Sequence, residues 1–592
     1  MKKTIYFLLA GLLMTSASCN SQKKSSGDNS TESKIITYQV NTSFILLPIE
    51  EKAPEVQMNV QVASLKFDET YNVRLAQGKT DYWMPLKVSK FKGKELTLTF
   101  SNYKGSEQGI SNIKESDKFD FDYDETYRPQ FHFTPEYGWM NDPNGMVYLD
   151  GEYHLFYQYN PYGSMWGNMH WGHAVSTDLV SWTYLPTAIA PDSLGAIFSG
   201  SAVVDANNTA GFGKNAIVAI FTSAGKVQAQ SIAYSTDKGR TFTKYAHNPV
   251  LPNPGISDFR DPKVSWNEVA KQWVMTLATK QTITFYGSPN LKEWTKLSEF
   301  GKKWGRTVAY GNVQILFPLT YQGKTKWVLL VSINPGGPNG GSATQYFIGN
   351  FDGKRFTADP LPYPLWIDYG RDNYAGVTWD NIPKADGRRI FLGWMSNWDY
   401  ANQAPTKNFR SANTLPRELK LRNNGEHFVL SSLPVKEVST LRGVIKTITN
   451  QIVVKESTVS QLLPQNEGTY EIEMNLSPEA ASNFGFALKN SKEEILKFNF
   501  DLKNKKLSID RTKSGRVDFN KAFAAGMIAP IVRKGNYKVR ILVDKASVEL
   551  FVNDGETVMT STVFPSEPYN KISFFKADAA WNANDIKIYN IK

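Results

Sequence analysis

Cysteine is almost absent from this 592-residue chain: Cys19 is the single one. One thiol excludes an intrachain disulfide framework and every thiolate-rich metal centre. Histidine is scarce too, six in all, and only His170 and His173 lie close together in the chain. No third ligand follows them at a metal-like spacing, so no metal site is assigned. The net charge of +11 has no clustered origin, because Lys and Arg are scattered among 56 acidic residues. No basic run carries interleaved aromatics, so nucleic acid is not an expected partner. The apolar run Ile5 to Met14 is too short to cross a bilayer as a helix.

That short run has another reading. Lys2 and Lys3 precede it as a basic n-region, and the small residues Ser16-Ala17-Ser18 lead to Cys19. Residues 1–19 therefore read as a secretory signal ending in a lipoprotein-type cleavage site, with Cys19 as the lipid attachment point. Position 16 is Ser where a bacterial lipobox usually has Leu; cleavage nearby and a soluble secreted product is the alternative. Residues 20–35, rich in Ser, Asn and Lys, have the composition of a disordered tether. The expected location is the bacterial cell envelope, periplasmic or at the outer surface, with the membrane touched only through the anchor.

The length exceeds one hydrophobic core and suggests about three to four domains. Aromatic residues make up 13% of the chain, with 15 Trp and 28 Tyr. Such a content fits a protein that stacks on sugar rings, and also the packing of a β-rich fold. Residues 36–118 alternate apolar and polar, as in Glu95-Leu96-Thr97-Leu98-Thr99-Phe100, and predict a small accessory β-domain. An internal repeat follows. Asp178 with Trp182-Thr183, Asp237 with Phe242-Thr243, Asn290 with Trp294-Thr295 and Asp352 with Phe356-Thr357 share one pattern. In each, Asp or Asn opens a turn and an aromatic-Thr pair begins a strand. Repeats of this length joined by hairpin turns predict radial blades, and Gly370 to Pro416 adds one more unit. Beyond about residue 433, runs such as Tyr537 to Asp544 and Ser547 to Gly555 alternate again and predict an antiparallel sandwich.

The string Trp139-Met140-Asn141-Asp142-Pro143-Asn144-Gly145 carries the chemistry. Taken alone, Asp142 before a proline is a turn former. Further strings follow in order: Phe198-Ser199-Gly200-Ser201, Arg260-Asp261-Pro262-Lys263, Asp368 to Ala375, Gly393 to Trp398 and Leu415 to Leu419. The ordered set resembles the fructan-acting glycoside hydrolases of family 32 (invertases, levanases, inulinases). The resemblance implies an all-β chain with a five-bladed β-propeller over 127–432, a C-terminal β-sandwich over 433–592, and no cofactor. It implies Asp142 as catalytic nucleophile and Asp261, beside Arg260, as transition-state stabiliser. Trp139, Asn141, Gln158, Trp166, Phe198 and Ser199 would line the terminal-fructose pocket, with Asp372 and Trp398 near its rim. In isolation, Arg260-Asp261 reads as a surface ion pair, Gln158 as a satisfied strand amide and Trp166 as core. The implied partner is a fructan or fructo-oligosaccharide.

One catalytic group departs from this pattern. The family's acid/base is normally the Glu of a Trp-Glu-Cys-Pro-Asp string directly before Leu-Phe-Pro-Leu. Here Leu316-Phe317-Pro318-Leu319 is preceded by Gly311-Asn312-Val313-Gln314-Ile315, so Asn312 stands where the Glu belongs. No acidic residue occurs between Glu299 and Asp352, and a small shift cannot restore one. A positioned general acid is worth about 10² to 10⁴ in rate. Three expectations follow: a carboxyl from another loop, Asp372 being the family candidate; a slow hydrolase; or a fructan-binding protein that keeps the pocket.

Overall fold

A computed structural model describes residues 33–121, 123–301, 311–459, 467–576 and 578–591, the side chains of 311, 312 and 457–459 excepted. The expected signal, Cys19, most of the tether and the Asn312 side chain lie outside the described residues.

The repeat becomes four blades for a local reason. Asp178, Asn290 and Asp352 each accept backbone N–H bonds from the two residues that follow their neighbour, and Asp237 holds the N–H and hydroxyl of Thr241. The residue after each of them turns left-handed, with φ of 67° at Leu179, 58° at Lys238, 63° at Leu291 and 89° at Gly353. Only the last is free of Cβ strain, so the side-chain bonds hold the other three turns. Each turn delivers the chain into the fourth, outermost strand of its blade.

The five blades begin with the inner strands Gly138–Leu149, Ala196–Asp205, Phe259–Asn267, Gly311–Tyr321 and Tyr374–Thr378. Each inner strand packs against the next, and the fifth returns to the first, so the sheets close into a ring. Phe409–Arg410 completes the closure by pairing in parallel with Gly138 and Trp139. That diversion corrects the expected extent of the last unit. The segment before Pro416 is spent on closure, and the outer strands of the fifth blade, Arg417–Asn423 and Phe428–Pro434, lie beyond it.

All five inner strands slip register at the same end. The slips fall between Met140 and Pro143, Phe198 and Gly200, Arg260 and Lys263, Gly311 and Gln314, and Tyr374 and Val377. A bulge inserts a residue, bends the strand and re-aims its side chain. Asp142, Ser199 and Asp261 each occupy such a bulge.

The C-terminal domain is two antiparallel sheets of seven and six strands over a shared apolar core. Its strand Ser547–Val552 is buried on both faces, not on one as its alternation predicts. The second face meets the propeller, where Glu549 accepts hydrogen bonds from Arg417 and His132. The accessory domain, strands Ser33–Gln39 to Lys114–Ser116, forms sheets of four and three strands. Its interior is continuous with that of the propeller: Met58, Leu98 and Phe100 belong to one cluster with Trp139, Tyr157 and Leu392.

Candidate active site

Asp142 is 8% exposed, and both its oxygens are engaged. Ser199 Oγ donates to Oδ2 at 2.7 Å and Asn141 Nδ2 donates to Oδ1 at 3.0 Å. Trp139 Nε1 donates in turn to Asn141 Oδ1 at 2.7 Å, which fixes the amide's orientation. Burial raises the Asp142 pKa, and the bonds from Ser199 and Asn141 oppose it. The carboxylate is thus aimed by side chains from two blades.

Asp261, on the third blade, is 6% exposed and sits at φ 63°, a strained conformation for a residue with a Cβ. Its own backbone pins it there. Its N–H donates to Thr222 Oγ1 at 2.9 Å, and its carbonyl accepts from Gln314 Nε2 at 2.6 Å. Burial raises its pKa to about 7, against the pull of Arg260 and with the nearby charge of Asp142 adding to the rise. Arg260 Nε lies 3.7 Å from Asp261 Oδ2, and its Nη1 donates to Asp258. The expected surface pair is therefore a partly buried guanidinium against a buried carboxyl.

Around these carboxyls the aromatic residues divide by depth. Trp139 is fully buried and stacks on Trp398 with centroids 5.9 Å apart. Trp166 is 43% exposed, its ring edge-on to Phe198 at 6.2 Å. A large aromatic left open in this way offers a face to a sugar. Gln158 is buried, and its amide donates to Ile197 O at 2.9 Å, in the strand just before Phe198.

Asp372 is not at the rim. It is fully buried between propeller and sandwich, where Oδ2 accepts from Arg511 Nη1 at 2.6 Å and Thr562 N at 2.9 Å. Tyr400 OH donates to Oδ1 at 2.6 Å. A carboxylate held by a guanidinium and two further donors cannot serve as a substitute proton donor, which removes that expectation. Nor do the close histidines converge. His173 Nε2 meets His154 Nδ1 at 3.1 Å, whereas His170 faces Tyr71 of the accessory domain. Burial lowers the pKa of His170 to about 4. Among the described residues no group of three His, Cys, Asp or Glu could hold a metal.

Thr222 and Gln314 escaped the sequence reading. Neither carries a chemical signature, and each acts on the backbone of Asp261 from another strand. Gln314 belongs to the segment that departs from the family string, so that segment makes its own buried contact with Asp261.

Residues 132–432 match the family model "Glycosyl hydrolases family 32 N-terminal domain", and residues 437–590 match its C-terminal counterpart. The chain belongs to glycosyl hydrolase family 32. Residues 30–131 match a domain of unknown function, DUF4980. Among family 32 proteins, the levanase of Bacillus subtilis (strain 168) is 50% identical over 482 residues, 79% of this chain and 71% of that protein. The extracellular exo-inulinase of Aspergillus awamori is 39% identical over 495 residues, 75% of this chain and 91% of that one. The crystal structure of exo-inulinase from Aspergillus awamori superposes with a TM-score of 0.72 at 35% identity. It covers 80% of this chain and 99% of its own. The β-fructofuranosidase from Schwanniomyces occidentalis, complexed with fructosyl-erythritol, gives 0.71 at 32% identity, with coverages of 80% and 99%. The all-β architecture of propeller and sandwich is that of this family 32 group.

Proposed function

We propose that the protein is a retaining β-fructosidase acting on the fructosyl ends of fructans or sucrose-like sugars. Asp142 attacks the anomeric carbon, and the bond to the leaving oxygen breaks as the Asp142 ester forms. Water then cleaves that ester and restores the carboxylate. Asp261 and Arg260 hold the fructosyl hydroxyls as positive charge develops on the ring. One observation carries the reading: two buried carboxyls, coupled electrostatically, sit in corresponding bulges of neighbouring inner strands.

The proton for the leaving oxygen is the weak point. Asn312 can donate a hydrogen bond but cannot usefully transfer a proton. It belongs to the fourth-blade bulge, which corresponds to the bulges of Asp142, Ser199 and Asp261. A specific observation therefore favours a second reading: with no acid between Glu299 and Asp352, and Asp372 engaged elsewhere, the chain binds fructan ends and cleaves them slowly.

Binding separates from chemistry through pH. Fructosyl hydroxyls donate best to an ionised carboxylate, so fructose affinity should strengthen as pH rises through about 7, where Asp261 loses its proton. The Asp142 carboxyl, which burial also pushes up, adds its charge to that rise. Asp261→Asn should flatten this dependence in titration calorimetry, while Asp142→Asn should leave affinity largely intact. A parent protein with no affinity for fructose or short fructans at any pH sinks both readings.

The lipid anchor at Cys19 is part of the same proposal, because a fructan polymer must be met outside the cell. Cys19→Ala should move the protein from the membrane fraction to the soluble one. If the variant stays on membranes through a high-salt wash, the anchor is wrong, since salt screens the attraction that a net +11 exerts.

A further inference from the structure

Trp166 stands on the loop between Glu152–Asn160 and His170–Ser176 of the first blade. Its ring has one ring neighbour, Phe198, among the described residues, so the loop backbone must set where the ring stands. From within the propeller that backbone is held by Asn160 Nδ2, which donates to Met165 O, and by Asn402 Oδ1, which accepts from Trp166 N. Asn160 Oδ1 also accepts from Tyr162 N and Asn168 Nδ2. Further anchors come from the accessory domain. Tyr82 OH accepts from Ser164 N at 3.2 Å and from Ser164 Oγ at 2.9 Å. Asn168 makes a two-way pair with the backbone of Asn72: its Oδ1 accepts from Asn72 N at 2.9 Å and its Nδ2 donates to Asn72 O at 2.8 Å. Tyr71 packs on Tyr162 with centroids 4.3 Å apart. Glu51 accepts from Ser164 Oγ and pairs with Arg410 at 2.7 Å, joining the loop to the strand that closes the ring.

We propose that the accessory domain is a positioning element of the sugar site: it fixes the Trp166 loop, and through it the aromatic wall that a fructosyl end meets. The inference rests on the proposed function for the identity of the sugar, but not for the ordering of the loop. The geometry argues against a module that merely rides along. Its anchors fall on both sides of Trp166, at Tyr162, Ser164 and Asn168, and its apolar core runs into the first blade without a break. A tethered sugar-binding module would meet its neighbour through a linker, and its truncation would not disturb the neighbour's site. Here the neighbour's loop is bonded to the module at three points. Tyr82 and Asn168 are positioning residues; neither touches the reacting carboxyls.

Two full-length variants test this. Tyr82→Phe removes the hydroxyl that bonds Ser164 and keeps the ring. Asn168→Gly removes the pair with Asn72, together with one bond to Asn160 Oδ1, and suits φ 43°, where glycine carries no Cβ strain. Hydrogen exchange should quicken at amides 162–168 in each variant while the fourth blade keeps its protection. Calorimetric affinity for a short fructo-oligosaccharide should fall about fivefold, the equivalent of roughly one net hydrogen bond. On a Trp166→Ala background, Tyr82→Phe should bring no further loss, because it acts through that ring. A domain that only stabilises the fold would lower the melting temperature without this loop-specific change or the coupling to Trp166. Unchanged exchange at 162–168, or unchanged affinity in a parent that binds, overturns the proposal. A parent without affinity overturns the proposed function instead, and the exchange result still decides the clamp.

Discussion

Asn312→Glu is expected to raise hydrolysis of sucrose or a short fructo-oligosaccharide by about 10² or more, the usual worth of a positioned general acid. Without it the leaving alkoxide takes its proton from water. A ketose cation is tertiary and forms readily, which softens this loss without abolishing it. The gain should shrink on an activated aryl fructoside, whose leaving group needs no proton. The segment that would carry the new carboxyl is well founded at one point, because Gln314 is bonded to the carbonyls of Asp261 and Thr276. A bell-shaped pH profile should appear with the acid and be missing from the parent. If the parent already turns over fructans at ordinary rates with such a profile, another group supplies the proton and the substitution at 312 is not the lesion.

Arg417→Met should destabilise the protein by about 3–5 kcal/mol, the cost of leaving a buried carboxylate without its partner. Arg417 is fully buried; Nη1 donates to Asp368 Oδ2 at 2.9 Å and Nη2 to Glu549 Oε2 at 2.6 Å. Glu549 Oε1 faces His132 Nε2 at 2.9 Å, and His132 Nδ1 faces Asp544 Oδ2 at 2.8 Å. This chain of charges joins the first and fifth blades to the sandwich. Burial opposes the charge on His132, but hydrogen bonds to Asp544 and Glu549 outweigh it and raise its pKa to about 9. Its stabilisation is therefore complete below about 6.5 and is lost as pH rises through about 9. Glu549, which burial would raise, is held down to about 2 by Arg417 and His132. Its share is present above about 4.5 and is lost as pH falls toward 2. Urea titrations of parent and variant across pH 4 to 9 would show this window, and a loss below about 1 kcal/mol would refute the buried-pair account.

What the sequence made legible was local. The Asp or Asn turns read directly because side chain and backbone partners lie within a few residues. The strings around Asp142 and Asp261 read as motifs only through their resemblance to the family, since Ser199, Thr222 and Gln314, which hold them, lie on other strands. Three features did not read. Asp372 looked like a rim residue because its string runs into the fifth inner strand, yet its partner Arg511 belongs to the other domain. Glu549 sits in an alternating strand that promised a solvent face, and only docking against the propeller buries it. Thr222 and Gln314 act across neighbouring blades, which no spacing within one strand can reveal. Long-range partners decided each case.

The parallel seam between Phe409–Arg410 and Gly138–Trp139 also orders events in time. The strand that bears Asp142 leaves the ribosome early, but its last edge stays open until residue 410 has been made. Through that interval the first blade presents unpaired backbone next to an apolar interior, the condition under which a nascent chain recruits wrong partners. The accessory domain precedes that blade and shares its interior, so it can shelter the blade's flank before the ring shuts.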